Sequence, residues 1–138
     1  MILLDTNVMS ELMRPVPEPR VLLWVNSLDF GAIHVPAIVM AELYYGLECM
    51  PGGRRKESVR AALDRVANEV GNQAILPFGE DAARAYGRLM AGRDRAGRPM
   101  GIVDAQVAAI ALANNAQLAT RDGDFADCGI EIVNPWAF

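Results

Sequence analysis

Apolar residues along the chain come in two rhythms: short unbroken runs, and longer stretches in which they return every three or four positions. Ile2-Leu3-Leu4 is a short run closed by Asp5-Thr6-Asn7, a cluster of turn and cap formers. It reads as a buried strand feeding a helix from Val8 to about Met13, halted near Pro15 and Pro17. Glu18 to Ser27 is helical again, with Val21, Leu22, Val25 and Leu28 on one face, and Ile33-His34-Val35 is a second strand. Pro36 suits a first helical position, and Ala37 to Met50 continues as a strongly apolar helix up to Pro51-Gly52-Gly53. Arg54 to Val70 is amphipathic, its Val59, Ala62, Leu63, Val66 and Val70 recurring at helical spacing. Ala74 to Phe78 reads as a third strand, Glu80 to Gly92 as a helix, and Arg93 to Gly101 as a charged connection. Ile102 to Ala113 is another apolar helix, and Gln117 to Thr120 a fourth strand followed by the polar turn Arg121-Asp122-Gly123-Asp124. Glu131-Ile132-Val133 is a last strand before Asn134-Pro135-Trp136.

Strands separated by helices predict an α/β fold, a mainly parallel sheet with helices on both faces. Such sheets bind ligands outside the carboxyl ends of their strands, where strand order reverses. With 138 residues, no internal repeat and no linker, the chain is expected to form a single domain over residues 1–138.

Composition narrows the chemistry. Cys49 and Cys128 make neither a disulfide framework nor a C-x-x-C pair, so a reducing cytoplasm is the expected setting. Asp5 interrupts the apolar start after four residues, which excludes a secretory signal there, and Ala105 to Thr120 is too short and too polar for a membrane span. His34 is the single histidine, and it sits in a strand, so any metal would be held by oxygen. Thirteen basic against seventeen acidic residues give a net charge of −4. A nucleic-acid substrate would therefore need a local basic patch or bridging cations. Lys56 is the lone lysine and is followed by Glu57, which excludes a P-loop.

Four acids stand in apolar stretches. Asp5 ends Met1-Ile2-Leu3-Leu4, Glu42 is the only charge between Val35 and Leu47, Asp104 the only charge between Pro99 and Thr120, and Asp122 closes Leu118-Ala119-Thr120-Arg121. The other acids have polar or loop-like neighbours and read as solvated. Each of the four has a structural explanation: a helix cap for Asp5, a first-turn dipole partner for Asp104, an Asx-turn for Asp122, an exposed helix flank for Glu42. Together they point further. Asp5 and Asp122 directly follow strands, Glu42 lies in the helix after the second strand, and Asp104 begins the helix before the fourth. Converging carboxylates force one another neutral unless a divalent ion pairs them. All-oxygen ligation selects Mg²⁺, with Mn²⁺ as a substitute. Such an ion binds phosphate oxygens and lowers the pKa of bound water, so phosphodiester hydrolysis is the expected chemistry.

Met1-Ile2-Leu3-Leu4-Asp5-Thr6-Asn7, Ala41-Glu42-Leu43, Asp104-Ala105 and Thr120-Arg121-Asp122-Gly123-Asp124-Phe125 resemble, in order and spacing, the PIN-domain ribonucleases. Within that family the chain is similar to the VapC-type toxins of type II toxin–antitoxin pairs, including the FitB-like branch with an Asn-Pro-Trp ending. The resemblance implies a three-layer α/β/α sandwich and a Mg²⁺-dependent endoribonuclease. Its catalytic acids would be Asp5, Glu42, Asp104 and Asp122. Asp5 and Asp104 would be the principal metal ligands, Glu42 and Asp122 completing the pocket directly or through water. Thr6, Asn7 and Thr120 match supporting positions, and Asp124 fits either a supporting role or the turn. The resemblance also implies a homodimer and an inhibitory VapB-type antitoxin that carries the DNA-binding function.

Two other readings compete. Asp5-Thr6-Asn7 after an apolar strand superficially matches an aspartyl-nucleophile phosphatase, which needs a lysine near the site; Lys56 lies in a charged, surface-like run. A non-catalytic PIN-fold module acting through a partner is the other, and retention of all four acids favours the nuclease over it. Arg84, Arg88, Arg93, Arg95 and Arg98, and separately Arg54, Arg55, Lys56 and Arg60, are candidate grips for RNA or an acidic partner. Trp24, Tyr44 and Tyr45 are candidates for a dimer or antitoxin groove, core packing being their commoner fate.

Overall fold

The computed structural model describes residues 1–71 and 73–138; Asn72 and the Val70 side chain, which the apolar repeat includes, lie outside that description. The chain runs β1 (Ile2–Leu4), α1 (Thr6–Leu12), α2 (Pro19–Asn26), β2 (Ile33–Pro36), α3 (Ala37–Cys49) and α4 (Arg54–Val70). It continues through β3 (Ile75–Leu76), α5 (Glu80–Arg95), α6 (Ile102–Ala113), β4 (Gln117–Ala119) and β5 (Ile132–Val133). Short 3₁₀ turns precede β2 and follow β4 and β5. The strands form one sheet in the order β3-β2-β1-β4-β5. Every pairing is parallel, with Ile2 opposite both Ile33 and Gln117.

Right-handed crossovers fix the layers. The steps from β1 to β2 and β2 to β3 move outward in one direction and carry α1 to α4 on one face. The step from β3 back to β4 moves the other way and carries α5 and α6, which pack on each other, on the opposite face. A sheet covered on both faces needs apolar residues at successive positions of its central strands. Leu3, Leu4, Leu118 and Ala119 meet that need and are buried. On α6, Ala105 and Val107 to Ala111 are all buried, which is why its sequence is apolar on every side. On α4, Leu63 is buried while Val59 and Val66 are half-buried against the core.

Several boundaries differ from the sequence expectation. The first helix starts at Thr6 rather than Val8, because Asp5 caps it: its side chain accepts from the Thr6 N–H, and its carbonyl accepts from Val8 and Met9. Pro36 belongs to β2 and caps α3 instead of opening it. Helix α5 continues past Gly92 to Arg95, where Arg93 and Arg95 in the last turn favour the dipole and Gly97, at φ +68°, takes the chain away. In α2 it is Val21 and Trp24 that are buried, while Leu22 faces outward. No helix among the described residues is long and apolar enough to cross a membrane.

Candidate metal centre

Strand order reverses at β1 and β4, and the crevice outside their carboxyl ends is where an open α/β sheet leaves room for a ligand. Asp5 follows β1 directly, and Asp122 stands just beyond β4. The N–H of Asp5 donates to the Ala119 carbonyl and that of Thr120 to the Val133 carbonyl, so the ladder itself sets both loop starts.

Asp5 is buried at 6% exposure and held by three donors. Its Oδ1 accepts from the Thr6 N–H at 2.8 Å, and its Oδ2 accepts from the Thr120 hydroxyl at 2.7 Å and the Asn7 amide at 3.0 Å. Asn7 also donates to the Thr120 hydroxyl at 2.9 Å, and the same hydroxyl accepts from the Asp122 N–H at 3.0 Å. Thr120, itself buried, thus ties the β1 and β4 loops together. Burial pushes the Asp5 carboxyl above its ordinary value; Thr120 and Thr6 oppose that rise, and the nearby Glu42 and Asp122 charges add to it.

Asp104, half-buried in the first turn of α6, converges with Asp122 and Asp124: one carboxylate oxygen from each lies within 4.8 Å of the others. Asp122 Oδ1 accepts from the Asp124 N–H at 2.9 Å, so the Asx-turn expected of it and membership of the cluster are both present. Asp104 is pushed up by burial first, then by Asp122, Asp5, Asp124 and Glu42. Asp104 therefore feels all four of the other carboxylates, although Asp5 stands outside the tight trio. Glu42 is exposed on α3, and its Oε2 accepts from the Thr6 hydroxyl. The α3 flank that carries it, with Tyr45, Gly46 and Cys49, faces solvent, so its apolar sequence reflects an uncovered surface and not burial.

A hard divalent cation suits this donor set. Oxygen acceptors crowd the crevice with few donors to match them, the buried Asn7 Oδ1 has no partner among the described residues, and two of the acids are held against ionisation. Lys56 offers no support to an aspartyl nucleophile: it sits on α4 and donates to the Glu48 carbonyl.

Glu11 departs from the solvated reading. It is buried, accepts from the Glu18 N–H at 2.8 Å and pairs with Arg14 at 3.3 Å. Its place on the buried face of α1, beside Val8 and Met9, was the available signal. Part of each basic cluster is engaged internally: Arg84 with Glu80, Arg98 with Asp127, Arg60 with Glu48, and Arg93 with the Arg98 and Ala126 carbonyls. Trp24 is core, whereas Tyr44 and Tyr45 are exposed.

Residues 2–131 match the family model described as PIN domain. The chain is 39% identical to the VapC ribonuclease Y4jK of Sinorhizobium fredii, over 99% of this chain and 98% of that protein. It is 35% identical to Toxin FitB of Neisseria gonorrhoeae over 99% of each. The crystal structure of FitAcB from Neisseria gonorrhoeae superposes at a TM-score of 0.92 with 34% identity, covering 100% of both chains. By fold, by the order of its acidic residues and by this likeness over its whole length, the chain belongs to the PIN domain family.

Proposed function

We propose that this protein is a Mg²⁺-dependent endoribonuclease that acts as the toxin of a type II toxin–antitoxin pair. The observation that carries the reading is the convergence of Asp104, Asp122 and Asp124 at the sheet's switch point, with Asp5 and Glu42 acting on the same space. When bound, a divalent ion supplies positive charge at the scissile phosphate and makes water more acidic. Asp104, with Asp122 and Asp124, would hold that ion, and Asp5, expected from the resemblance to be a principal ligand with Asp104, would complete the site directly or through water. Asp5 is kept in one orientation by Thr6, Asn7 and Thr120, so it costs no reorganisation during the reaction. Glu42, fixed at Oε2 by Thr6, keeps Oε1 free to orient the attacking water and take its proton.

Names of the relatives support the ribonuclease and the toxin: one is a VapC ribonuclease and another a toxin. On this reading the chain works in the cytoplasm as a homodimer and is neutralised by a VapB-type antitoxin that supplies the DNA-binding function. The test is cleavage of total cellular RNA by purified protein with Mg²⁺, Mn²⁺ or chelator. Cuts leaving 5′-phosphate ends are expected with either metal, and none with chelator or in Asp5→Asn or Asp104→Asn. Turnover that survives chelation or persists in both variants would sink this reading.

A further inference from the structure

Among the described residues, Arg121 is the arginine stacked on an aromatic ring. Its guanidinium lies 4.4 Å from the centre of the Trp136 ring, and it enters no ion pair among the described residues. It stands between Thr120, whose hydroxyl holds Asp5, and Asp122, a member of the carboxylate trio, and it is exposed. The ring beneath it is anchored. The Trp136 ring is partly buried against the core, and its backbone is held on both sides: the backbone N–H donates to Asn134 Oδ1 at 3.0 Å and the backbone carbonyl accepts from Arg20 at 3.3 Å. An arginine stacked on a fixed indole gives up rotamer freedom in advance and keeps its N–H edge for another acceptor. No crevice carboxylate among the described residues takes that edge; the charge of Arg121 acts instead on Glu11 of α1, which, after the Glu18 N–H, it helps to hold down without pairing with it.

On an acidic protein this placement has a use. A polyanion brought to five carboxylates needs a cation beside them, and a planar, pre-oriented fork matches a phosphate. Resting on the nuclease reading above, we propose that Arg121, held flat by Trp136, binds a backbone phosphate of the RNA next to the one that is cut. Arg121 is thereby a substrate-positioning residue, and the Asn134-Pro135-Trp136 ending is the platform that orients it.

The test measures binding of a fluorescein-labelled mixed-sequence 15-nucleotide RNA across a salt series. It uses Arg121→Gln and Arg121→Lys, each in the Asp104→Asn background to prevent cutting. Cleavage of total RNA by the single variants is followed in parallel. Arg121→Gln is expected to weaken binding about tenfold and to flatten the slope of log affinity against log salt by about 0.7, one single-strand phosphate contact. Arg121→Lys keeps the slope and regains part of the affinity. In cleavage, Arg121→Gln raises the RNA concentration for half-maximal rate about tenfold and leaves the maximal rate unchanged. Trp136→Phe behaves as wild type, while Trp136→Leu weakens binding without changing the slope. If wild type cleaves and Arg121→Gln shows the same slope and half-saturation, the inference is overturned and the nuclease stands. A loss confined to inhibition by the antitoxin overturns it too and gives Arg121 to a protein partner. A wild-type protein that neither binds nor cuts RNA overturns both readings.

Discussion

Thr120 carries more of the site than its size suggests. Its hydroxyl donates to Asp5 and accepts from Asn7 and from the Asp122 N–H, all within a buried setting. Replacing it with isosteric valine leaves three polar groups without their partner, which costs about 2 kcal/mol, or roughly 7 °C for a chain of this length. Serine retains the hydroxyl and most of that stability. Thermal melts of Thr120→Val and Thr120→Ser decide it; a valine variant as stable as the serine one refutes the role. Asp104 is the opposite case. It accepts no hydrogen bond among the described residues and is held against ionisation by burial and four neighbouring acids. Asp104→Asn should therefore abolish cleavage while raising the melting point in chelator by about 2 °C. The sequence exposed these two residues unequally. Asp104 is conspicuous as a lone charge in an apolar helix, whereas two of the three bonds of Thr120, to Asp5 and Asn7, join residues more than a hundred positions apart in the chain.

At the scale of elements, the turn between α1 and α2 depends on Glu11. Its carboxylate accepts the Glu18 N–H at the start of α2 and pairs with Arg14 at the end of α1, spanning a stretch that holds Pro15 and Pro17. Glu11→Ala strands that N–H and is expected to cost about 1–2 kcal/mol, with amide exchange speeding up at Glu18 before elsewhere in the chain. Exchange that is unchanged there would show the turn to be held by packing alone. Elements covered on all sides were legible in the chain itself, since β1, β4 and α6 are apolar at nearly every position. Their ends were less so. The start of α1 at Thr6 rests on Asp5 serving as both cap and site acid. The extension of α5 to Arg95 rests on a favourable last turn that outweighs Gly92. Glu11 was half legible: its spacing from Val8 put it on the buried face of α1, but only the returning chain after the prolines brings it a donor.

For the molecule as a whole, the acidic centre couples stability to pH and to metal. Asp5 and Asp104 both have raised folded-state pKa values. Their contribution is thus complete below the ordinary carboxylate value and is lost as pH rises through the raised values. Glu11 runs the other way: the Glu18 N–H first, and then Arg14, hold it down against burial, so its contribution is present at neutral pH and lost on acidification. In chelator the crevice acids should therefore lower the melting point of the wild type as pH rises from the ordinary carboxylate range toward neutrality, and Asp104→Asn should flatten that decline. On the nuclease reading, Mg²⁺ binds only the converged, ionised acids. At one hundred times its dissociation constant it should add about 2.7 kcal/mol, or roughly 9 °C, at neutral pH, and progressively less as acidification protonates the acids. Asp104→Asn should lose most of that gain. A Mg²⁺-induced shift of equal size in wild type and Asp104→Asn would mean that the ion stabilises the fold from some other place. The convergence of Asp104, Asp122 and Asp124 would then have to be explained by the turn and the helix dipole alone.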